Sequence, residues 1–472
     1  LGRTLASADA LQLKLSNRQV CGTGRVLALG TLRFDLSAMT VSGQSRATWT
    51  TARQPAERGH HGHERERAMN ETEAAGAARP PAGPSALRVL VAGAGIGGLS
   101  AAVALHQAGA SVRVVERAAA IEPVGAGISL WPNALRALDV LGVAAQVRGS
   151  GIVSGRSGVR RPDGRWLGRS DVGSAIQARY GEPLVLVHRA RLATLLTERL
   201  PADAVHLGVT VTGVRPGGLG EPATLHTDAG DLEADVLIAA DGIRSVLRAA
   251  LFPDHPGPHY AGYTAWRMIV PEPGGVEAAE TWGPDGERFA ALPLGDGRVY
   301  CYATAAVPAG GHSAEPDGEL GELRRRFGAW HEPIPAILAS ARPDAVLRND
   351  IEDLTPLPAM HAGRVALLGD AAHAITPDLG QGGCLAIEDA VVLAAATRST
   401  DASSVVSALA RYSAARLPRT SMVAARSRKA GRLYQRPLPI RMLAARLMSV
   451  APASLVARSM APLLTWRPPS SP

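Results

Sequence analysis

Leu87-Arg88-Val89-Leu90-Val91-Ala92-Gly93-Ala94-Gly95-Ile96-Gly97-Gly98 decides the fold: an apolar, β-rich run breaks into a glycine turn and passes into Leu99–Gln107 at helical spacing. Strand, glycine turn and helix in this order open a dinucleotide-binding unit. Gly93 permits the tight turn, Gly95 lets the backbone approach a pyrophosphate, and Gly98 allows close helix-to-strand packing. The next predicted strand, Ser111–Glu116, ends in an acid 23 residues after Gly93, where a carboxylate meets a ribose hydroxyl. The motif alone is weak; its setting strengthens it, without telling one dinucleotide from another.

Two later segments narrow the cofactor. Leu232–Ala240 reads as a hairpin arm ending in a buried strand, and it runs into Asp241-Gly242-Ile243-Arg244-Ser245, with Arg248 beyond. An Asp-Gly turn at the carboxyl end of a strand lies on the ligand edge of an open α/β sheet, although plain turns share this composition. Gly363–His373 is a strand ending in Gly369-Asp370, followed by Pro377, then Gly380-Gln381-Gly382-Gly383, then a helix predicted from about Leu385. An acid here suits a polyol hydroxyl. The glycines expose N–H groups at a positive helix end, suited to an anionic ring.

In this order GAGIGG, the DG segment and GDAAHAITPDLGQGG resemble the single-component FAD-dependent aromatic hydroxylases of the para-hydroxybenzoate hydroxylase superfamily, over residues 87 to 435. VGAGISLWPN (Val124–Asn133) and AGYTAWR (Ala261–Arg267) are closest in wording to its urate hydroxylase, salicylate-hydroxylase-like and zeaxanthin-epoxidase-like members. The fold this implies is α/β, a Rossmann-type FAD-binding domain with an inserted β-sheet substrate domain and C-terminal helices. The resemblance puts Gly97, Glu116, Arg117 and Ser129 on the adenosine and ribityl side and gives Arg189 and Val211 FAD contacts. Asp241 belongs to a segment touching FAD and the pyridine nucleotide, Asp370 takes the ribityl chain, and Gly382 with Gly383 takes a flavin carbonyl, in the loop begun by Pro377 and Gly380. It also implies the chemistry: NADH or NADPH visits transiently to reduce FAD, O₂ adds at flavin C4a, and the resulting hydroperoxyflavin hydroxylates a small electron-rich ring.

Substrate contacts are expected from residues 251–350, whose stretches Phe289–Leu294 and Arg298–Ala305 read as sheet over the flavin. Tyr260, Tyr263, Trp266 and Arg267 are the candidates there. Arg248 and Tyr260 fall where the resemblance to urate hydroxylase puts an arginine and a tyrosine implicated in its reaction, and Arg248 also belongs to the general DG pattern. Arg267 can pair with a substrate carboxylate or simply lie on the sheet surface, and Tyr263 can relay a phenolic proton or simply pack. His373 and Cys384 are expected to pack. Urate hydroxylation, epoxidation and an FAD dehydrogenase that leaves oxygen unused stay open, as does a non-catalytic flavin-binding partner recruited through its C-terminus. A flavin halogenase is set aside, because no lysine occurs between Met69 and Arg428.

The chain's 472 residues carry a net charge of +8, but that charge sits at the ends. Residues 1–68 sum to +5, residues 69–410 to −9 and residues 411–472 to +12, a distribution that argues against a nucleic-acid surface. Cys21, Cys301 and Cys384 are too few and scattered for a disulfide framework or metal cluster, so no metal and a cytoplasmic setting are expected. Residues 1–68 are expected to be a disordered extension, or else to precede a translation start at Met69, and residues 70–85 to be a linker in either case. The domain plan is FAD-binding residues 86–155, 185–255 and 346–400, substrate residues 156–184 and 256–345, and a helical C-terminus, 401–472. Pro452 and Pro462 interrupt any long amphipathic face there, which favours a packed cap over membrane contact. A monomer or homodimer is expected.

Overall fold

The computed structural model describes residues 86–121, 126–150 and 157–469, the side chains of 448 and 449 aside. The expectations for residues 1–85 and for Val124 and Gly125 lie outside them.

Val89–Ala92 are buried on both faces, as a central parallel strand requires. Arg88–Ala92 pairs with Ser111–Glu116 on one side and Val236–Ala239 on the other, and Val236–Ala239 pairs with Val365–Leu367, all parallel. Val205–Leu207 and the antiparallel His361–Ala362 close the two edges of this six-stranded sheet. The glycine turn, Asp241 and Asp370 therefore follow the carboxyl ends of three adjacent strands, and segments far apart in sequence meet at one sheet edge. Helices Ile96–Gln107 and Gly382–Thr397 cover the sheet with Leu99, Val103, Ile387 and Val391.

A second, seven-stranded sheet has the order Leu347–Leu354, Pro258–Pro271, Arg298–Ala305, Arg288–Pro293, Ala279–Trp282, Ser157–Arg160, Trp166–Ser170. Leu347–Leu354 falls in the stretch assigned to the FAD-binding domain, yet it is an edge strand here, because it pairs along Pro258–Pro271. One face packs Trp266, Met268, Phe289 and Cys301 on the helices Glu319–Phe327 and Ile334–Ser340. The other face turns toward the FAD motifs: Tyr300 lies against Leu186, and a Cβ on Gly127 would sit 2.8 Å from its ring.

The long helix Val405–Tyr434 carries Pro418 inside it and docks on the first sheet through the Tyr412 hydroxyl, which donates to the Leu367 carbonyl at 2.9 Å. The chain end is pinned by Arg136, donating to the carbonyls of Leu464 and Trp466 at 2.7 and 3.1 Å, and by Tyr180, donating to that of Ala457 at 2.7 Å. No described helix is long and apolar enough to cross a membrane.

Candidate active site

The glycines of the first turn divide by what surrounds them. Gly93 has φ +108°, and a Cβ there would lie 2.4 Å from the Ala240 carbonyl oxygen; on Gly98 it would lie 1.9 Å from that of Gly93. These two close the turn. Nothing lies within 4 Å of a Cβ on Gly95, the open side of the cradle, while Gly97 faces Leu368 and Ala386. Glu116 accepts from the Ala94 amide at 2.7 Å and the Ala118 amide at 3.0 Å, so the turn itself fixes the carboxylate expected at the ribose. Arg117 is exposed beside it.

Asp241 accepts from the Ser245 hydroxyl at 2.6 Å and the Leu247 amide at 3.2 Å, and burial raises its pKa. Arg248 is 3% exposed and donates to the carbonyls of Ile243 and Ala371 at 2.6 and 3.0 Å, stapling the DG segment to the third motif. Of the remaining cofactor candidates, Arg189 is exposed at the start of a helix, and its amide donates to the Ala126 carbonyl at 3.0 Å. Val211 opens a strand and is half-buried. The Ser129 carbonyl accepts from the Cys384 thiol at 3.5 Å.

In the third motif Asp370 is exposed at the head of a short helix, and Pro377–Leu379 forms a tight turn ended by Gly380 at φ +60°. The following helix starts at Gly382 rather than near Leu385, since the Leu385 amide already closes a helical turn on the Gln381 carbonyl at 2.9 Å. Gly382 and Gly383 thereby stand in its first turn, where N–H groups have no acceptor within the helix. Beside them the buried Trp131 Nε1 and Gln381 Nε2 have no partner. An open cradle at one motif and unpaired donors at another fit a dinucleotide with an anionic ring.

Behind this loop lies a charge network that the sequence reading missed. Asp389 meets His373 Nε2 at 2.5 Å and accepts from Arg416 Nε at 2.6 Å and the Gly369 amide at 3.0 Å. Burial pushes this carboxyl up, but His373 and Arg416 outweigh it and bring the pKa down to about 2. Neighbouring Glu388 takes Asn133 at 2.7 Å, Arg416 at 2.9 Å and both arms of Arg419.

Tyr263 and Arg267 stand on the face of the second sheet that turns toward the Pro377–Leu379 turn, and Trp266, between them in sequence, on the other. The Tyr263 hydroxyl donates to Asp378 at 2.8 Å; burial, then Asp378, raise its pKa far above the usual phenol value. Arg288, absent from the candidates, also meets Asp378 at 3.1 Å, donates to Thr304 at 3.0 Å and stacks 3.8 Å from the Tyr434 ring centroid. Arg267, half-buried, donates to Asn349 at 3.0 Å. Tyr260 departs from this group: its hydroxyl donates to the Val307 carbonyl and lies 3.4 Å from Thr264. Trp266 donates to Glu319 at 2.6 Å among the covering helices. No cluster of described residues could hold a metal ion.

A family model described as FAD binding domain matches residues 86–427. The chain is 42% identical over 352 residues to the aurachin C monooxygenase/isomerase of Stigmatella aurantiaca, covering 74% of this chain and 90% of that one. It is 36% identical over 347 residues to the FAD-dependent urate hydroxylase of Klebsiella pneumoniae, covering 73% and 89%. Among solved structures, Klebsiella pneumoniae HpxO complexed with FAD and uric acid superposes with a TM-score of 0.73 at 31% identity, covering 80% of this chain and 97% of that one.

Proposed function

The chain belongs to the FAD-binding-domain family and is a flavoprotein monooxygenase, and we propose that it hydroxylates a small electron-rich aromatic ring bearing an anionic group, with NADH or NADPH as donor. One observation carries the anionic group. Two arginines, Arg267 and Arg288, stand on the sheet face that turns toward the Pro377–Leu379 turn, and they are paired differently. Arg288 is neutralised by Asp378 at 3.1 Å and Glu280 at 3.5 Å. Arg267 donates to the neutral Asn349 and faces the Tyr300 hydroxyl, and no described carboxylate pairs with it. A half-buried guanidinium with neutral partners is a ready bidentate site for a carboxylate.

When bound, FAD supplies the redox and oxygen chemistry. The chain's part is to hold and desolvate. Gly93, Gly95, Gly98 and Glu116 take the dinucleotide half, with Arg117, Ser129, Arg189, Val211 and Asp370 along its length. The first-turn N–H groups of Gly382 and Gly383 stabilise negative charge on the ring. Tyr263, held neutral, orients a substrate oxygen as a hydrogen-bond partner rather than as a base. A single dinucleotide turn in the sequence supports a nicotinamide donor that visits transiently.

The test is a substrate panel of matched rings carrying carboxylate, amide or hydrogen, with urate included, scored by NAD(P)H consumption coupled to hydroxylated product. Preference for the carboxylated ring, lost in Arg267→Met through a KM rise of about tenfold or more, supports the reading. Equal turnover of uncharged rings, or a variant with unchanged KM, overturns it.

A further inference from the structure

Eight large hydrophobic side chains are exposed among the described residues, and four of them belong to one helix, Leu438–Val450. Ile440, Leu443, Leu447 and Val450 are 49%, 59%, 59% and 77% exposed. Their spacing of three, four and three residues sets them on a single face. The opposite face is bedded on the protein: Ala445 is 2% exposed, and Arg441, 1% exposed, donates to the carbonyls of Arg436 and Gly283, both at 2.9 Å, and to that of Pro284. A buried arginine with three carbonyl acceptors locks the helix about its axis, so the aliphatic face is held outward. Scattered apolar side chains on a surface are ordinary; four in a row on a locked helix are not.

Charge selects what covers them. Of the twelve basic side chains in residues 411–472, Arg416, Arg419 and Arg428 are paired with Asp389, Glu388 and Asp353 and Arg441 is buried, but Arg432, Arg436 and Arg458, flanking this helix, are exposed, and the segment holds no acid. A second copy meeting this face symmetrically would bring arginine against arginine. An anionic lipid surface matches both features, taking the aliphatic face into its headgroup boundary and the arginines at its phosphates. Thirteen residues are too few to span a bilayer but enough to lie on one.

The prolines favour a packed cap, but this helix is packed on one face only, and we propose that Leu438–Val450 docks the enzyme on anionic lipid through Ile440, Leu443, Leu447 and Val450. The test is co-sedimentation of the full-length holoenzyme with vesicles of phosphatidylcholine alone or mixed equally with phosphatidylglycerol, alongside the double variant Leu443→Glu/Leu447→Glu. The wild type is expected to sediment with the mixed vesicles about tenfold more strongly than with phosphatidylcholine alone. The variant is expected to lose that binding while keeping its flavin content and NAD(P)H oxidation. Should the glutamates disturb folding, Leu443→Ser/Leu447→Ser, with its flavin content checked, reads the same face without new charge. Failure of the wild type to bind mixed vesicles overturns the proposal, as does undiminished binding by a folded variant. A dimer in light scattering that the variant dissolves, without lipid binding, assigns the face to a second copy and overturns it equally.

Discussion

Tyr263 and Asp378 join the two sheets' territories: the phenol of one β-strand donates at 2.8 Å to a carboxylate in the loop that follows Pro377, and the Asp378 side chain is fully buried. Arg288 holds the other carboxylate oxygen at 3.1 Å, so the Pro377–Leu379 turn is referenced to the second sheet by two bonds. Tyr263→Phe removes one and leaves the ion pair. Losing a hydrogen bond to a buried charge costs about 2 kcal/mol. The expected result is a lower melting temperature, unchanged flavin content and kcat/KM down by about tenfold or more. A variant with wild-type kinetics would return Tyr263 to a packing role.

Gly95 and Gly98 separate a cofactor glycine from a structural one. Gly98→Ala drives a methyl into the Gly93 carbonyl at 1.9 Å, at a cost of about 3 kcal/mol, and both melting temperature and flavin content fall. Gly95→Ala meets nothing within 4 Å, so the apoprotein keeps its melting temperature while FAD binds more weakly, as fluorescence titration would report. Equal stability losses in the two apoproteins would contradict this division.

The first sheet was legible because its signals are local: apolar runs, glycines at fixed offsets and a carboxylate at or just past the ends of three of its strands. The site was legible only in part. Tyr260 and Tyr263 read alike, yet the strand slips register between Tyr260 and Thr264, and Gly262, at φ +89°, marks the irregularity. A glycine inside a strand pattern was the available signal for that bulge. Arg288 and Asp378 lie 90 residues apart, and Asn133 and Glu388 lie 255 apart. No periodicity reports such pairings, which exist only once elements distant in sequence have packed together.

Asp389 makes stability depend on acid. Its carboxyl is held at about 2 in the folded protein, below the ordinary 3.8, so the folded state gains about 2 kcal/mol whenever the group is ionised. That gain is fully present above pH 4 or so and drains away as pH falls through about 4 to 2. Asp389→Asn removes this slope and leaves Arg416 buried with one carboxylate fewer, which costs about 3 kcal/mol or more near neutrality. Denaturant melts at several pH values check both. An unchanged acid slope in the variant would place the titration elsewhere.

Arg248 is one of the catalytic candidates, and its burial and partners support a structural task that a variant can test. Two of its five N–H groups, one from each end of the guanidinium, donate to the carbonyls of Ile243 and Ala371, which tie the segment after Asp241 to the segment after Asp370. Burial lowers its pKa, yet it stays charged at any working pH. Arg248→Met keeps the packing of the stem but strands two buried carbonyls, each worth about 1 to 3 kcal/mol. Less folded protein and a lower flavin content are expected, with kcat per bound flavin within about twofold of wild type, because a staple has no part in the reacting atoms' energy difference. A fall of about a hundredfold in kcat at full flavin occupancy would instead put Arg248 in contact with those atoms.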